Sequence, residues 1–345
     1  MAQQMSVLGI DIATQVFHVV GLDDRGHVVL RKRLARSTWL TCMANVPPLR
    51  IGMEACGSAH DWARQFREHG PDVRLIAPQC IKAYVKSPKH DARDADAICE
   101  AVTRPTRRCV PIKRVEQQDL HALHRVRERL IKARTALVHE IRGLLSESGM
   151  ILPHSLAKFR ALLVDKMHAE QAQLTTLSAE GFWHLYDACR ALEKRVAYDE
   201  EKLAARGQAH PACQRLQTIP GIGPVAATAL IAAIGDVTPF TNGRQRVAWL
   251  GLVPREHSTG GQPRLLGMSQ RGDRSLRQLL GHGARATLRW VDTKGDDRSQ
   301  WLRALIARRG KNQAAVAVAY TNARIAWVLL AHHQEDRVRT VISPG

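Results

Sequence analysis

The sequence is poor in aromatic side chains, has no paired cysteines and contains no long uninterrupted apolar run. Phe, Trp and Tyr make up 5% of the 345 residues, too few for single-strand base stacking to be the main binding device. The seven cysteines (Cys42, Cys56, Cys80, Cys99, Cys109, Cys189 and Cys213) form no C-x-x-C pair and have no matching His spacing. That argues against a zinc site or a disulfide framework and fits a reducing compartment. No stretch approaches the ~18 consecutive apolar residues of a membrane span. The start, MAQQMSVLGID, enters an apolar strand without a signal-peptide pattern. No G-x-x-x-x-G-K-[ST] loop is found, so ATP chemistry has no motif to rest on. These absences point to a cytoplasmic protein with no membrane partner.

Acidic residues are also in short supply. Against 32 Asp and Glu stand 51 Lys and Arg, a formal net charge of +19. A soluble chain this basic needs a polyanion, and nucleic acid is the default one. Between Arg244 and Lys311 there are 15 basic and 5 acidic residues, so the excess is concentrated in one region. Hydrophobic residues make up 45% of the chain, enough to bury a core and to exclude wholesale disorder.

The first hundred residues alternate strands with helices. Strands are expected at Ser6–Ile12, Val16–Leu22, His27–Arg33, Arg50–Glu54 and Asp72–Ile76. A short helix is expected near Thr38–Ala44, ending at Pro47-Pro48, and a second is capped by Ser58, with Ala59, Trp62, Ala63 and Phe66 on one face. Further helices are expected from Pro78 to Val85 and over Ala92–Thr103. A three-stranded meander followed by alternating helices and strands is the order of a ribonuclease-H-like (RuvC-like) α/β domain, here residues 1–104. Arg104–Arg114, with two prolines and five basic residues, reads as a linker. Leu123, Leu130, Leu137 and Leu144 then recur every seven residues in a long helix over Gln117–Ser146. Leu174–Arg206 is its partner, as a coiled coil between chains or a hairpin within one. This connector occupies 105–207. The remainder, 208–335, is a mostly α-helical domain interrupted by a loop-like Gly251–Gly267, with helices at Ser275–Leu280 and Asn312–Leu330.

Four acids are spaced for metal chemistry. Asp11 and Glu54 end apolar strands, and Asp91 and Asp94 lie three apart at a helix start, on one face. Carboxylates held together repel unless divalent cations neutralise them. Hard oxygen ligands suit Mg²⁺ or Mn²⁺, and two such ions can stabilise both the attacking and the leaving oxygen of a phosphodiester. Asp96 falls on another face and is set aside. Thr218–Gly223 (T-I-P-G-I-G) resembles a helix-hairpin-helix turn, in which Gly221 and Gly223 bring backbone amides to phosphate. In Gly251–Gln262 the hydroxyls Ser258 and Thr259 precede two glycines, which permit close backbone approach to a phosphate. Arg255, Arg264, Ser269, Arg271, Arg274 and Arg277 supply a cationic cradle around them.

Four stretches carry a family resemblance: I-G-M-E-A at Ile51–Ala55, D-A-R-D-A-D-A at Asp91–Ala97, T-I-P-G-I-G, and G-L-V-P-R-E-H-S-T-G-G at Gly251–Gly261. Their order and spacing, over about Val7 to Leu330, resemble the DEDD transposases of the insertion-sequence family numbered one hundred and ten. H-S-T-G-G followed by Arg271-Gly272-Asp273 is similar to its eleven-eleven subgroup. The resemblance implies a RuvC-like domain, a coiled-coil connector and a C-terminal transposase domain, with Asp11, Glu54, Asp91 and Asp94 as metal-binding acids. It also implies a nucleophilic serine that forms a covalent link to DNA, with acids and serine drawn from different protomers of a dimer or tetramer. A non-coding guide RNA (a bridge RNA) that pairs with donor and target DNA is implied as well. In the better-described branch the serine directly precedes a single glycine, which would align Thr259 with the nucleophile. The less crowded primary hydroxyl favours Ser258. Two other readings are carried forward: a structure-selective endonuclease using metal-activated water, and a non-enzymatic DNA- or RNA-binding architectural protein.

Overall fold

A computed structural model describes residues 5–38, 49–84, 91–104, 109–169, 174–235 and 240–332, the side chains of residues 91–93 excepted. The helix expected near Thr38–Ala44 lies outside these residues apart from a 3₁₀ turn at Arg36–Thr38. The chain divides into two compact units, residues 1–114 and 115–345. The first is mixed α/β and the second largely helical, as the sequence implies.

The first unit is built on a six-stranded sheet in the order β3-β2-β1-β4-β5-β6. Its strands are β1 (Val7–Ile12), β2 (Val16–Leu22), β3 (Val28–Ala35), β4 (Arg50–Glu54), β5 (Asp72–Ile76) and β6 (Cys109–Val110). The first three form an antiparallel meander, while β4 and β5 run parallel to β1. Near-continuous apolar runs in β1 and β4 match strands covered on both faces. Ile10, Ile51, Met53 and Leu75 are fully buried on one side with Trp62 and Phe66 of α1 (Ala59–Glu68). Val7, Val20 and Ile76 pack on the other against Ala95, Ile98 and Val102 of α3 (Asp91–Thr103).

Three local expectations need correction here. Ser58 sits at φ 63 and makes no side-chain cap bond, so the entry to α1 is a left-handed backbone turn instead of an N-cap. The helix from Pro78 stops at Ile81 (α2, Pro78–Ile81) and continues as a 3₁₀ turn over Lys82–Tyr84. The presumed linker contributes β6, which pairs antiparallel with Leu75 and Ile76. Two β-compatible residues beside an open sheet edge are enough to recruit it.

The second unit contains α4 (Val115–Glu147), α5 (Leu156–Ala169), α6 (Thr176–Ala209), α7 (Pro211–Gln217), α8 (Pro224–Ile234), α9 (Gly243–Leu250), α10 (Arg274–Leu288), α11 (Asp297–Arg309) and α12 (Lys311–His332). The boundary expected near residue 207 is absent from this arrangement. Helices α4 and α6 pack on each other and both pack on α8, so the connector and the C-terminal domain form one body. The pairing of α4 with α6 is made within one chain. Its seam departs from the leucine heptad: Val138, Ile141 and Leu145 are buried with Phe159 and Phe182, whereas Leu144 and Val126 are exposed. The intervening α5 draws the buried stripe round by a residue.

The apolar α8 is surrounded on all sides, with Ala227, Leu230 and Ala232 almost inaccessible. Helix α12 has a mean hydropathy of 1.5 over its most apolar 18 residues, long and apolar enough to cross a membrane by length and composition alone. Polar residues such as Asn322 and Arg324 interrupt it, so a search for an uninterrupted run passes it over. Half of that stretch is buried inside the unit, and Ala315, Val318, Ala319 and Ala323 join the core. It serves as a core helix.

Between α4 and α8, the His124 Nε2 atom lies 3.1 Å from Thr228 Oγ1. The threonine hydroxyl donates to Pro224 O at 2.8 Å, so it accepts from His124, which is neutral with its proton on Nε2. Burial, reinforced by Arg127 and His121, pushes the imidazole down to about 4 from its usual 6.5. The unfolded chain therefore binds a proton between those values that the folded chain refuses, so stability is lost as pH falls through that window. The full difference is on the order of 3 kcal/mol. His124→Gln, which keeps a donor toward Thr228, should flatten the fall in melting temperature between pH 7 and 4.5. An unchanged pH slope would assign the loss to other groups.

Candidate active site

Asp11 and Glu54 are placed by strand register. The parallel ladder joins Gly9 to Gly52 and Ile10 to Met53, and the next residue on each strand is an acid. Side chains alternate along strands, so Asp11 shares a face with Gly9 and Glu54 with Gly52. That face carries α3. A Cβ on Gly9 would meet Cys99 Sγ at 2.5 Å and the Ala95 carbonyl at 2.6 Å, and one on Gly52 would meet Val102 Cβ at 2.9 Å. The missing side chains let α3 lie directly on the strands that carry the two acids. Asp94 immediately precedes Ala95, the residue whose carbonyl presses on Gly9.

Asp11, Glu54 and Asp94 are each half-buried. Cys56, two residues beyond Glu54, reports the field: burial first, then Glu54 and Asp11, push its thiol above the usual range. Both carboxylates thus act on one point. The side chain of Asp91 lies outside the described residues, although its backbone opens α3. Among the described residues no group of three or more His, Cys, Asp and Glu is assembled to hold a metal ion. The structure therefore brings two of the four acids together and places Asp94 on the covering helix. Asp96 is held elsewhere, both of its oxygens 3.0 Å from the Arg31 guanidinium. Hard oxygen donors on adjacent strand ends fit a divalent cation and offer nothing to a soft one.

In the second unit the glycine-rich stretch is a β-hairpin, where a loop was expected. Strand β7 (Pro254–Glu256) pairs with β8 (Leu265–Met268). At the tip, Gln262 donates to the Thr259 carbonyl at 3.0 Å, with Gly260 at φ 56 and Gly261 at φ 75. Two consecutive positive φ angles in a two-residue turn require glycine, and they match the twist of the strands. Neither glycine has anything within 4 Å of its Cβ position. They serve the turn; no close packing demands them.

The two hydroxyls have different surroundings. Thr259 forms the turn bridge with Gln262. Ser258 Oγ donates to Glu256 Oε1 at 2.7 Å and accepts from the Arg264 backbone N–H at 3.2 Å. Ser258 and Glu256 are both solvent-exposed. At the foot of the hairpin two backbone segments cross. Gly251, at φ 73, has the Arg271 backbone where a Cβ would be, and Gly272, at φ 90, has the Trp249 carbonyl there. Asp273 then caps α10 by accepting from Leu276 N at 3.0 Å. The Arg-Gly-Asp motif is thus a backbone crossing followed by a helix cap.

The expected cationic cradle is partly redistributed. Arg255, Arg264, Arg271 and Arg274 are exposed, but Arg277 directs Nη1 to the carbonyls of Leu250 (3.2 Å) and Arg271 (2.9 Å). It ties the crossing together. Beside it a cleft of about 630 Å³ is lined by Gln270, Arg274, Gln278, His282, Arg285 and Asn312, among others. His282 and Arg285 escaped the sequence reading because they lie about one and two turns beyond Arg277, on a helix longer than expected.

The T-I-P-G-I-G turn is also explained by packing at one of its two glycines. Gly221, at φ 92, would place a Cβ 2.6 Å from the Gly283 carbonyl of α10, and Gly283 reciprocates against the Gly221 carbonyl. Gly223 is exposed at the N-terminus of α8 with open space around it. In an ordinary helix Gly→Ala gains about 1 kcal/mol, but Gly283→Ala would set a methyl inside a carbonyl oxygen, with backbone on both sides and no rotamer to yield. Overpacking of this kind costs about 3 kcal/mol. We expect Gly283→Ala to melt several degrees below the wild type in calorimetry; an equal or higher melting temperature would show that the two segments separate easily.

Comparison with known proteins fits these two units. Residues 8–150 match the DEDD transposase domain model of the IS110 type, and residues 213–301 match the model described as "Transposase IS116/IS110/IS902 family". The chain is 43% identical over 335 residues to the transposase for insertion sequence element IS1111A of Coxiella burnetii, covering 97% of this chain and 92% of that one. The chain belongs to the IS110/IS116/IS902 family of transposases. A protein of Pseudomonas aeruginosa named as a probable family 20 transposase is 51% identical over 328 residues (95% of this chain and 97% of the relative). The IS1328 transposase of Yersinia enterocolitica is 36% identical over 326 residues (94% and 96%). DNA transposase activity follows from these identities, and the DEDD domain brings with it the use of a divalent metal ion. Asp11, Glu54, Asp91 and Asp94 all lie within the matched residues 8–150 of this transposase.

Proposed function

We propose that this transposase moves an insertion sequence by cutting and rejoining DNA through a covalent phosphoserine link at Ser258, assisted by Mg²⁺ (or Mn²⁺) held by Asp11, Glu54, Asp91 and Asp94. One observation carries the reading: Asp11 and Glu54 follow the last paired residues of adjacent parallel strands, on the face covered by the helix that bears Asp91 and Asp94. The strand order β3-β2-β1-β4-β5 supports a ribonuclease-H-like, RuvC-like fold for this unit. When bound, a divalent ion would neutralise the carboxylates and draw in a scissile phosphate.

The chain's own groups do the rest. Ser258 stands exposed beside the turn of the hairpin, where a DNA backbone can reach it. Arg255, Arg264, Arg271 and Arg274 hold phosphates nearby, with the cleft beside α10 extending the cationic track. The Gly223 end of α8 offers a further backbone contact. Attack by serine conserves the phosphodiester bond energy, so rejoining needs no nucleotide cofactor. Donor and target DNA, a non-coding guide RNA, and a homodimer or homotetramer that brings acids and serine together from different protomers complete the proposal. The site of action is the cytoplasm, at the nucleoid.

A second reading, water-mediated cleavage by the acids alone, is favoured by the DEDD domain itself. The test uses the full-length protein, a duplex carrying one element end with its native flank, and RNA transcribed from the element. Mg²⁺ should produce a protein–DNA adduct that survives denaturation, maps to the peptide containing Ser258, and is absent with EDTA. Cleavage without an adduct would establish the water mechanism.

A further inference from the structure

We infer that Glu256 is a catalytic residue, the proton acceptor for Ser258 during strand cleavage and the proton donor during rejoining. This rests on the assignment of Ser258 as nucleophile made above, and it adds a group that the sequence motifs did not single out. Ser258 lies two residues beyond Glu256, the last residue of β7, and their side chains meet. The Ser258 hydroxyl points its proton at Glu256 Oε1 at 2.7 Å, within reach for direct transfer. The Arg264 N–H reaches the other side of the same oxygen at 3.2 Å, so the hydroxyl rotor is fixed from two directions. A backbone bond in which His257 N donates to Arg264 O, 2.9 Å, holds the register that makes this possible. Thr259 has no comparable carboxylate contact among the described residues; its backbone closes the turn.

The balance is as follows. As the bond from Ser258 Oγ to phosphorus forms, the phosphorus–oxygen bond to the cleaved strand's sugar breaks. The Oγ proton passes to the Glu256 carboxylate, and the departing sugar oxygen takes a proton from solvent water. In rejoining, a sugar hydroxyl attacks the phosphoserine and gives its proton to solvent, while Oγ leaves and recovers its proton from the Glu256 carboxylic acid. No oxidant, reductant or cofactor enters.

The experiment compares wild type, Glu256→Gln, Glu256→Asp and Ser258→Ala on the element-end duplex with element RNA, scoring adduct formation against pH and DNA retention in parallel. General-base assistance is worth about 10²–10⁴-fold. Glu256→Gln should retain DNA and lose adduct rate by at least about 100-fold. Glu256→Asp should recover part of the rate. An adduct rate in Glu256→Gln within a few-fold of wild type overturns the proposal, as does a loss of rate matched by an equal loss of DNA retention, which would make Glu256 only a brace for the hairpin. Persistence of the adduct in Ser258→Ala marks instead the failure of the nucleophile assignment.

Discussion

Ser258→Ala is expected to abolish the covalent protein–DNA adduct and element excision while leaving DNA retention unchanged, whereas Thr259→Val should keep both within a few-fold. Removing a nucleophile eliminates the covalent route altogether, so the fall should reach the detection limit, typically at least about 10³-fold. The contrast between the two positions follows from their surroundings. Ser258 is exposed and presents its hydroxyl to Glu256, while Thr259 closes the hairpin turn through its backbone, which valine can also do. Loss of one exposed hydroxyl removes no packing, so the melting temperature should move by less than a degree or two. Adduct and excision in Ser258→Ala, paired with their loss in Thr259→Val, would transfer the nucleophile to Thr259 and place the family register one residue later. Measurement of both variants by denaturing gel and by amplification of rejoined element ends decides between them.

Much of the first unit was legible in its sequence because parallel strands buried on both faces leave little choice. Val7–Ile10 and Arg50–Met53 can only be such strands, and an acid directly after each must stand at the strand's C-terminal end. What the sequence could not show was the role of glycine. Gly9 and Gly52 look like weak points in strands, yet they admit α3 to the face carrying Asp11 and Glu54. Gly221, read as a phosphate-facing turn, is fixed by the carbonyl of Gly283 more than sixty residues later. Gly260 and Gly261 suggested close approach to a ligand, but they satisfy a turn. In each case the controlling partner is non-local or conformational, and neither spacing nor charge encodes it.

The same limit explains Glu256 and Arg277. Glu256 reads as one acid in a basic stretch until pairing of β7 with β8 extends the chain and aligns it with Ser258. Arg277 reads as one more surface cation until the crossing of Gly251 and Gly272 supplies carbonyls for it to hold. The connector left two readings open for a related reason. Leucine heptads announce a helix that needs a partner without saying which partner, and here α5, α6 and α8 of the same chain cover it.

Asp11→Asn should reduce excision and adduct formation by at least about 10³-fold, with Glu54→Gln close behind. Both substitutions preserve shape and remove one negative charge from a half-buried pair on adjacent strand ends, so folding should be affected by no more than about 1 kcal/mol. Activity alone cannot separate loss of metal from loss of geometry, so the decisive readout is metal-linked stability. Ligand that binds only the folded state raises stability by about 2.7 kcal/mol at a hundred times its dissociation constant. Mn²⁺ or Mg²⁺ should therefore raise the melting temperature of the wild type and fail to do so for Asp11→Asn, with the double variant Asp11→Asn/Glu54→Gln no worse than either alone. A wild-type melting temperature indifferent to divalent ions, or an Asp11→Asn protein that still excises the element, would remove the carboxylate pair from the chemistry and leave the first unit as a scaffold.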